Sequence, residues 1–204
     1  DNDTMPIQET SILDATGTAL TLKTLPSRLV SLGPSNTEIL FALNAGHLIV
    51  GVDDFSDYPV KANTIESVGA PFLSFDLERI IILNPDLVIS TELAGFNTTL
   101  RDLGIPVYVS DPQNIAEVFK VIDDVGRLIG HSENATLLST QMNSRIAAVK
   151  ELTTTAAPVK VFYEVDASDP TRPYTVGAPS FVNDIIEVAG GDNIFGDVDI
   201  AYPQ

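Results

Sequence analysis

The stretch RLVSLGPSNTEILFAL, residues 28–43, contains an apolar run, a Gly-Pro turn and an amphipathic run in immediate succession. The apolar run at 28–32 has the length of a buried strand, and residues 36–44 have the apolar spacing of a helix. We therefore expect a strand that passes directly into a helix. In open α/β sheets, ligands bind at the turns that follow the carboxyl ends of the strands, so this turn is the first candidate site.

Short apolar runs and helical patterns continue to alternate along the chain. Further strands are predicted over 48–52, 86–90 and 106–110, and further helices over 76–83 and near 98–103. Alternation at this spacing is typical of βα units on a largely parallel sheet. The predicted fold class is α/β, with two Rossmann-like lobes whose mostly parallel sheets are joined by a long rigid α-helix.

We divide the chain into four segments. Residues 1–25 form an N-terminal β-hairpin segment, because SILDATGTALTL alternates on both sides of a turn signal. Residues 26–112 form the N-terminal α/β lobe, and residues 113–156 form a helical connection that includes the interlobe backbone helix. Residues 157–204 form a partial C-terminal α/β lobe, which we interpret as truncated.

The helical connection consists of two predicted helices. Apolar residues recur at three- and four-residue steps from 115 to about 130, and a second helix without Gly or Pro runs from 132 to about 154. A helix of that length extends about 30 Å. The βα pattern then restarts, with a strand predicted over 159–165 and a helix over about 179–189.

The composition excludes several classes of function. With 204 residues and 44% hydrophobic content, the chain can bury a sizeable core. Its net charge of −17 opposes nucleic-acid binding, which depends on clustered basic residues. Without cysteine there is no disulfide, thiolate metal site or cysteine nucleophile. No apolar run approaches the ~20 residues of a membrane span, and the first ten residues lack the features of a secretory signal, which has been removed or never existed.

The turn at 33–36 has two interpretations from the residues alone. A phosphate-binding loop would need more glycines or a Gly-Lys-Ser/Thr motif, so nucleotide binding is disfavoured. Ser35 as an N-cap, with Glu38 three residues later, would form a capping box. That arrangement explains both residues without any ligand.

Three further turns follow predicted strands, at 53–59, 91–97 and 166–174. If they converge with the first turn, the four line one cleft. Phe55 stands in the second turn, where its spacing is equally compatible with a ligand contact and with filling the edge of the lobe. Arg172 is the only arginine in the four turns, so this cleft is short of the positive charge that an anionic iron chelate would need.

Several segments of the chain resemble the vitamin B12-binding periplasmic proteins of ABC importers. These proteins belong to the helical-backbone substrate-binding family, which also takes up iron chelates and haem. The likeness covers nearly the whole chain from Arg28, in the family's order. It implies two α/β lobes joined by a long helix, with the ligand between them, and a binding protein that is not an enzyme. The segments are RLVSLGPSNTEILFAL, VGVDDFSDYP, VGAPFLSFDLERIIILNPDLVIS and FVNDIIEVAGGDNIFGD, followed by AYPQ.

The resemblance also implies which aromatic residues contact the ligand. It places Phe55 against the corrin ring and leaves Tyr58 a structural role. Phe72, in GAPFLS, matches a second aromatic of the cleft. Tyr174 and Tyr202 stand where the family presents aromatic residues in the second lobe, and Tyr202 replaces the Trp of a Trp-Pro-Gln motif. A tyrosine keeps the flat face and adds a hydroxyl that needs a partner.

Four further residues receive expected roles. Pro34 and Ser35 in the first turn and Glu92 in the third complete the predicted ligand-binding set. Glu78 lies in a predicted surface helix, where spacing alone favours a solvated or helix-dipole glutamate. In the family, the glutamate of this LER motif docks onto arginines of the permease, and the resemblance implies that role for Glu78.

The ligand that we expect is cobalamin or a related corrinoid, a large, flat and nearly neutral molecule. A ferric siderophore or haem is the alternative, since one of the tyrosines could supply an axial ligand to haem. No cofactor, catalytic residue or metal site is expected, because His47 and His131 each follow a glycine that ends a helix, away from the turns. A cytosolic α/β enzyme domain is a more distant alternative, since it needs a nucleotide fingerprint or a titratable cluster.

The expected partners are the permease and ATPase complex of an importer at the membrane. The expected location is extracytoplasmic, in the periplasm or on the outer face of the cell membrane, where a lipid anchor is compatible with the sequence. The sheet edge of a truncated second lobe would be exposed, and it could pair with another chain to form an oligomer.

Overall fold

A computed structural model describes residues 10–71, 74–93 and 95–204 of the protein. The chain folds into two compact units. Unit 1 contains the described residues up to Asp111 together with Ile122–Leu138, and unit 2 contains Pro112–Val121 and Ser139–Gln204.

Strands and helices follow one another along the described residues in the order that their labels give. The strands are β1 (Thr10–Leu13), β2 (Ala19–Leu22), β3 (Leu29–Leu32), β4 (Ile49–Val52), β5 (Gly69–Ala70), β6 (Ser74–Phe75), β7 (Leu87–Ser90), β8 (Val107–Val109), β9 (Val159–Val161) and β10 (Gly191–Asn193). The helices are α1 (Pro34–Ala42), α2 (Leu77–Leu83), α3 (Phe96–Asp102), α4 (Ile115–Leu128), α5 (Ser132–Thr153) and α6 (Phe181–Val188).

Unit 1 is built on a four-stranded parallel sheet with the order β4-β3-β7-β8. All residues of β3 and β7 are buried, as expected for central strands that are covered on both faces. The predicted α/β class with a mostly parallel sheet is confirmed. Each strand and helix predicted for unit 1 between residues 28 and 110 is present, and its ends lie within two residues of the predicted ones.

The N-terminal hairpin, β1 with β2, is fastened to unit 1 by the buried carboxylate of Asp14. Its Oδ1 accepts the backbone N–H groups of Thr16 and Thr18 at 2.9 and 3.0 Å, which closes the hairpin turn. Its Oδ2 accepts from Arg101 Nη2 at 2.5 Å, and the backbone N–H of Val109 in β8 donates to it at 3.3 Å. One side chain therefore joins the hairpin, α3 and β8.

Asp86 makes a comparable connection where the chain enters the sheet. Its Oδ2 accepts from the backbone N–H and the hydroxyl of Ser27, both at 2.8 Å, and from the backbone N–H of Arg28 at 3.0 Å. The hydrogen bond from the Ser27 backbone lowers the pKa of Asp86, and the Ser27 hydroxyl and Arg28 lower it further. The carboxylate fixes the segment that precedes β3.

The two helices predicted after the sheet of unit 1 are present as α4 and α5. Helix α5 has 22 residues, of which those up to Leu138 belong to unit 1 and the later ones to unit 2. In unit 1, the Tyr108 hydroxyl of β8 donates to Asp124 of α4 at 3.0 Å. Burial raises the pKa of Tyr108, and the Asp124 carboxylate adds to the rise. No helix among the described residues is both long and apolar enough to span a membrane.

In unit 2, the parallel pair β9 and β10 packs with α6. Strand β9 is shorter than the predicted strand 159–165, because the backbone beyond Val161 leaves β10 and Val165 donates instead to the carbonyl of Tyr174 at 2.8 Å. Val159 is 70% exposed, and β10 is the only strand that pairs with β9 among the described residues. The association with another chain through this edge stays a prediction.

We predict that Asp14→Ala lowers the free energy of unfolding by about 3 kcal/mol, because it leaves Arg101 and the buried N–H of Val109 without their carboxylate. Urea unfolding followed by circular dichroism measures this loss. The control is Asp123→Ala, an exposed aspartate of α4, which should change stability by less than about 0.5 kcal/mol. Equal losses in the two variants would show that the Asp14 network does not hold the hairpin.

Candidate functional site

Three turns leave the sheet of unit 1 at the carboxyl ends of β3, β4 and β7, and they contact one another. The backbone N–H of Gly33, after β3, donates to Oδ1 of Asp53, after β4, at 3.0 Å. A Cβ atom added to Gly33 would lie 2.9 Å from Cγ2 of Thr91, after β7. The structure therefore brings together the first three turns that the sequence predicted as ligand-binding.

The first turn begins α1 differently from the predicted capping box. Gly33 occupies the N-cap position and Pro34 is the first helical residue, so the prediction that Ser35 is the N-cap is wrong. Proline is favoured at the first helical position because its ring sets φ and its missing N–H is not needed there. Pro34 and Ser35 are exposed at the surface of the turn.

The second turn is organised by the carboxylate of Asp53, which is only 2% exposed. Besides the Gly33 bond, its Oδ1 accepts a hydrogen bond from the Ser56 hydroxyl, and its Oδ2 accepts from the backbone N–H of Phe55 at 3.2 Å. Sequence analysis did not single out Asp53. The available signal was the serine three residues later, a spacing at which a side chain can hydrogen-bond within its own turn.

Phe55 was expected to contact the ligand and Tyr58 to have a structural role, but both side chains are exposed. Phe55 is 50% exposed, as a ring that meets a ligand must be. Tyr58, for which a structural role was expected, is 64% exposed and does not fill the edge of the sheet. Glu92, in the third turn, is exposed. Phe72 lies outside the described residues, so its predicted contact stays a prediction.

The three turns carry negative charge and no positive charge. Their sequences, GPSN, DDFSDYP and TELAGFN, contain four carboxylates and neither lysine nor arginine. The Asp54 carboxylate accepts from the Ser67 hydroxyl, and its backbone N–H donates to the carbonyl of Gly69 at 2.9 Å. An anionic ligand would be repelled at this surface, whereas a neutral or cationic one would not.

In unit 2, two backbone segments run side by side and present Tyr174 and Tyr202. The N–H of Thr175 donates to the carbonyl of Pro203 at 2.9 Å, and the N–H of Gly177 donates to that of Ala201 at 3.0 Å. Tyr174 is 41% exposed and Tyr202 is 51% exposed. The structure thus places the two predicted aromatics of this unit on neighbouring segments.

Arg172 is the one cation of the fourth predicted turn, and its guanidinium group is hydrogen-bonded to Gln204. Its Nη2 donates to Oε1 of Gln204 at 2.7 Å, so the guanidinium is held against the segment that carries Tyr202. The turn itself is closed by aspartates. Asp166 and Asp169 accept from the hydroxyl and the backbone N–H of Ser168 and of Thr171 respectively. The Ser168 hydroxyl lowers the pKa of Asp166, and the Thr171 hydroxyl does the same for Asp169.

Glu78 is the second residue of α2 and is exposed. The neighbouring Arg79 forms ion pairs with two other carboxylates. Its Nη1 lies 2.6 Å from Oε1 of Glu66, and its Nε lies 3.5 Å from Oδ2 of Asp76. Asp76 is the N-cap of the helix and accepts from the N–H of Arg79 at 2.9 Å. The helix thus presents the Glu78 carboxylate at its surface.

The histidines do not lie in the turns. His131 Nδ1 is 2.7 Å from the carbonyl oxygen of Leu43, which Asn134 Nδ2 also contacts at 2.8 Å. Leu43 is the C-cap of α1, so these side chains satisfy a carbonyl at the end of that helix. Within the described residues, no group of three or more His, Asp or Glu side chains could hold a metal ion.

The chain is similar to proteins of a known family. A model of the periplasmic binding protein family matches residues 29–202. A curated relative, the vitamin B12-binding protein of Yersinia pestis (strain Pestoides F), is 30% identical over 195 residues, which are 91% of this chain and 67% of the relative.

Two solved structures with other named ligands are about equally similar. The first, from Staphylococcus epidermidis ATCC 12228, is described as a possible iron-binding (periplasmic solute-binding) protein. It is 29% identical with a TM-score of 0.78, over 88% of this chain and 70% of that one. The second is the periplasmic haem-binding protein of Roseiflexus sp. RS-1, at 30% identity and a TM-score of 0.73, over 87% of this chain and 70% of that one. Overall similarity therefore does not select the ligand.

We predict that Gly33→Ala destabilises the protein by at least about 1 kcal/mol more than Gly17→Ala. Both glycines have positive φ, 133° and 75°, but only at Gly33 would the new Cβ meet a neighbour, Thr91, whereas nothing lies within 4 Å at Gly17. Chemical unfolding of the two variants beside the wild type measures the difference. Equal effects would show that the first and third turns are not in close contact.

Proposed function

The chain belongs to the periplasmic binding protein family, and on that basis we propose that it is the extracytoplasmic substrate-binding protein of an ABC importer. It captures a corrinoid, cobalamin or a close relative, and delivers it to the permease. Its role is binding and release, not catalysis. The observation that carries the ligand assignment is the half-exposed Phe55, on a turn whose sequence contains three aspartates and no lysine or arginine.

A corrinoid suits the turns of unit 1 for two physical reasons. Its broad, flat macrocycle can stack on the exposed face of Phe55, and burying an aromatic face contributes strongly to binding. Its charges nearly cancel, so the carboxylates around Phe55 do not repel it. The similarity to a vitamin B12-binding protein supports the same ligand. We also assign Tyr174 and Tyr202 of unit 2, and Pro34, Ser35 and Glu92 of the turns of unit 1, to ligand binding.

Haem is the second candidate, and a specific observation favours it. Tyr174 and Tyr202 are both exposed, and a tyrosine oxygen can bind the iron of haem. The similarity to a haem-binding structure supports this alternative. The propionates of haem would meet the carboxylates of unit 1, so we rank it after a corrinoid. The same charge argument ranks an anionic ferric siderophore after both, although a structure described as a possible iron-binding protein is among the similar ones.

The proposed partner is the permease and ATPase complex of the importer. Glu78 is the residue of unit 1 that we assign to docking, since it is exposed at the start of α2 and Arg79 is directed towards Glu66 and Asp76. A carboxylate in this position suits a cationic side chain on the permease. Attachment of the protein to the outer face of the membrane through a lipid is compatible with this role.

We predict that cyanocobalamin binds the protein with one-to-one stoichiometry in calorimetric titration, and that Phe55→Ala weakens this binding about tenfold, or roughly 1.4 kcal/mol, because the stacked ring is lost. Leu103→Ala is the matched control. Leu103 is also about half exposed in unit 1, but it ends α3, at the edge of the sheet opposite to the turns.

Parallel titrations with haem and with a ferric hydroxamate separate the alternatives. Saturable binding of haem without binding of cyanocobalamin would replace the corrinoid by the second candidate. Equal effects of Phe55→Ala and Leu103→Ala on cyanocobalamin affinity would remove Phe55 from the site.

We also predict that Glu78→Arg abolishes stimulation of the importer's ATPase by the loaded protein, while cyanocobalamin affinity stays unchanged. The arginine would face the cationic side chains proposed on the permease, and like charges brought together at an interface are strongly unfavourable. The assay uses the cognate importer in lipid nanodiscs. Glu133→Arg is the matched control, because Glu133 is also exposed at the second position of a helix, α5. Normal stimulation by Glu78→Arg would remove Glu78 from the docking surface.

A further inference from the structure

We propose that Asp53 is a positioning residue of the ligand site, which holds the turn of Phe55 against the turn of Gly33 before any ligand arrives. The inference rests on the proposed function in one respect, the presence of Phe55 in the ligand site. The contacts of Asp53 themselves are independent of the ligand's identity.

The carboxylate of Asp53 connects two turns that are distant in sequence. Its Oδ1 accepts the N–H of Gly33, 20 residues earlier, at 3.0 Å, and its Oδ2 accepts the N–H of Phe55 at 3.2 Å. Gly33 follows β3 and Phe55 follows β4, so one side chain fixes the distance between the turns of neighbouring strands. The backbone of Phe55 is thereby fixed although its ring is half exposed.

A buried chain of hydroxyl groups extends this connection into the sheet. The Ser56 hydroxyl donates to Asp53 Oδ1, and the Thr37 hydroxyl lies 2.8 Å from both Ser56 Oγ and Ser31 Oγ. Thr37 belongs to α1 and Ser31 to β3, and all four side chains belong to buried residues. Buried polar groups of this kind rigidify a structure when every member is satisfied. The turn of Phe55 is therefore tied to a helix and a strand of the unit.

Asp53 also places a negative charge at the start of α1. The first N–H groups of a helix attract anions, and here the N-cap N–H of Gly33 is engaged by Asp53 while Pro34 has none. The carboxylate thus places a negative charge beside the first turn of α1. The same residue that holds Phe55 in place opposes anionic ligands at this turn.

A site that is ordered before binding loses less conformational entropy when the ligand arrives, so its affinity is higher. We therefore expect Asp53→Asn to weaken cyanocobalamin binding about five- to tenfold. The amide is isosteric, but its Nδ2 cannot accept a hydrogen bond, so the N–H of Gly33 or of Phe55 loses its acceptor. Hydrogen exchange at the Phe55 and Gly33 amides of the ligand-free protein should become faster.

Asp86→Asn is the matched control. Asp86 accepts two backbone N–H groups and a serine hydroxyl, as Asp53 does, but at the opposite edge of the same sheet. It should affect stability without changing cyanocobalamin affinity or exchange at Phe55. A double-mutant cycle distinguishes positioning of Phe55 from a general structural role, because only positioning makes the affinity loss of Asp53→Asn depend on the ring of Phe55. In the Phe55→Ala background, Asp53→Asn should cost little further affinity, because the ring that it positions is gone.

The outcomes separate this inference from the proposed function. Wild-type affinity in Asp53→Asn, or an affinity loss that is undiminished in the Phe55→Ala background, would overturn the positioning role even if cyanocobalamin binds. If the wild type does not bind cyanocobalamin, the corrinoid assignment fails and the exchange measurement decides alone. Faster exchange at Phe55 in Asp53→Asn but not in Asp86→Asn would then support the positioning role, and unchanged exchange would overturn it.

Discussion

Strand β3 hydrogen-bonds to β4 on one side and to β7 on the other, and the place of every candidate turn in unit 1 depends on this central pairing. Because the strands are parallel, the turns that follow them leave the sheet at one edge. Gly33, which follows β3, contacts the turns after both neighbouring strands. Its N–H donates to Asp53, and its Cα lies so close to Thr91 that a Cβ atom would not fit between them. Its φ of 133° and the lack of room for a Cβ make glycine the residue that fits.

Much of unit 1 could be predicted because its central strands are buried, and burial requires the runs of apolar residues that are visible in the sequence. The start of α1 could not, since Ser35 and Glu38 have the spacing of a capping box, and only the backbone shows that Pro34 already lies in the helix. Asp53 was missed for a different reason. Its decisive partner, Gly33, is 20 residues away in sequence, and an Asp-Asp pair in a loop is more typical of a solvated turn.

The ligand is harder to predict than the fold, since proteins described with three different ligands share about the same identity with this chain. On the function proposed above, the difference lies in a few side chains at the turns. Charge is the most informative of these features, because the turns of unit 1 contain carboxylates and no cation. An anionic chelate would lose its hydration there without gaining a countercharge. A nearly neutral macrocycle needs only a flat apolar face, which the proposed stacking on Phe55 would supply.

The Asp53 network shows how the backbone frame of such a site can be separate from the ring that meets the ligand. The bond to position 55 uses the backbone N–H of Phe55 and not the ring, so any residue except proline can make it. The side chain at position 55 can therefore change while the turn keeps its place. The carboxylate cannot change so freely, because three donors converge on a group that is almost fully buried, and each would lose its acceptor. One arrangement of the backbone can then carry different rings at position 55, and so accommodate ligands of different shape.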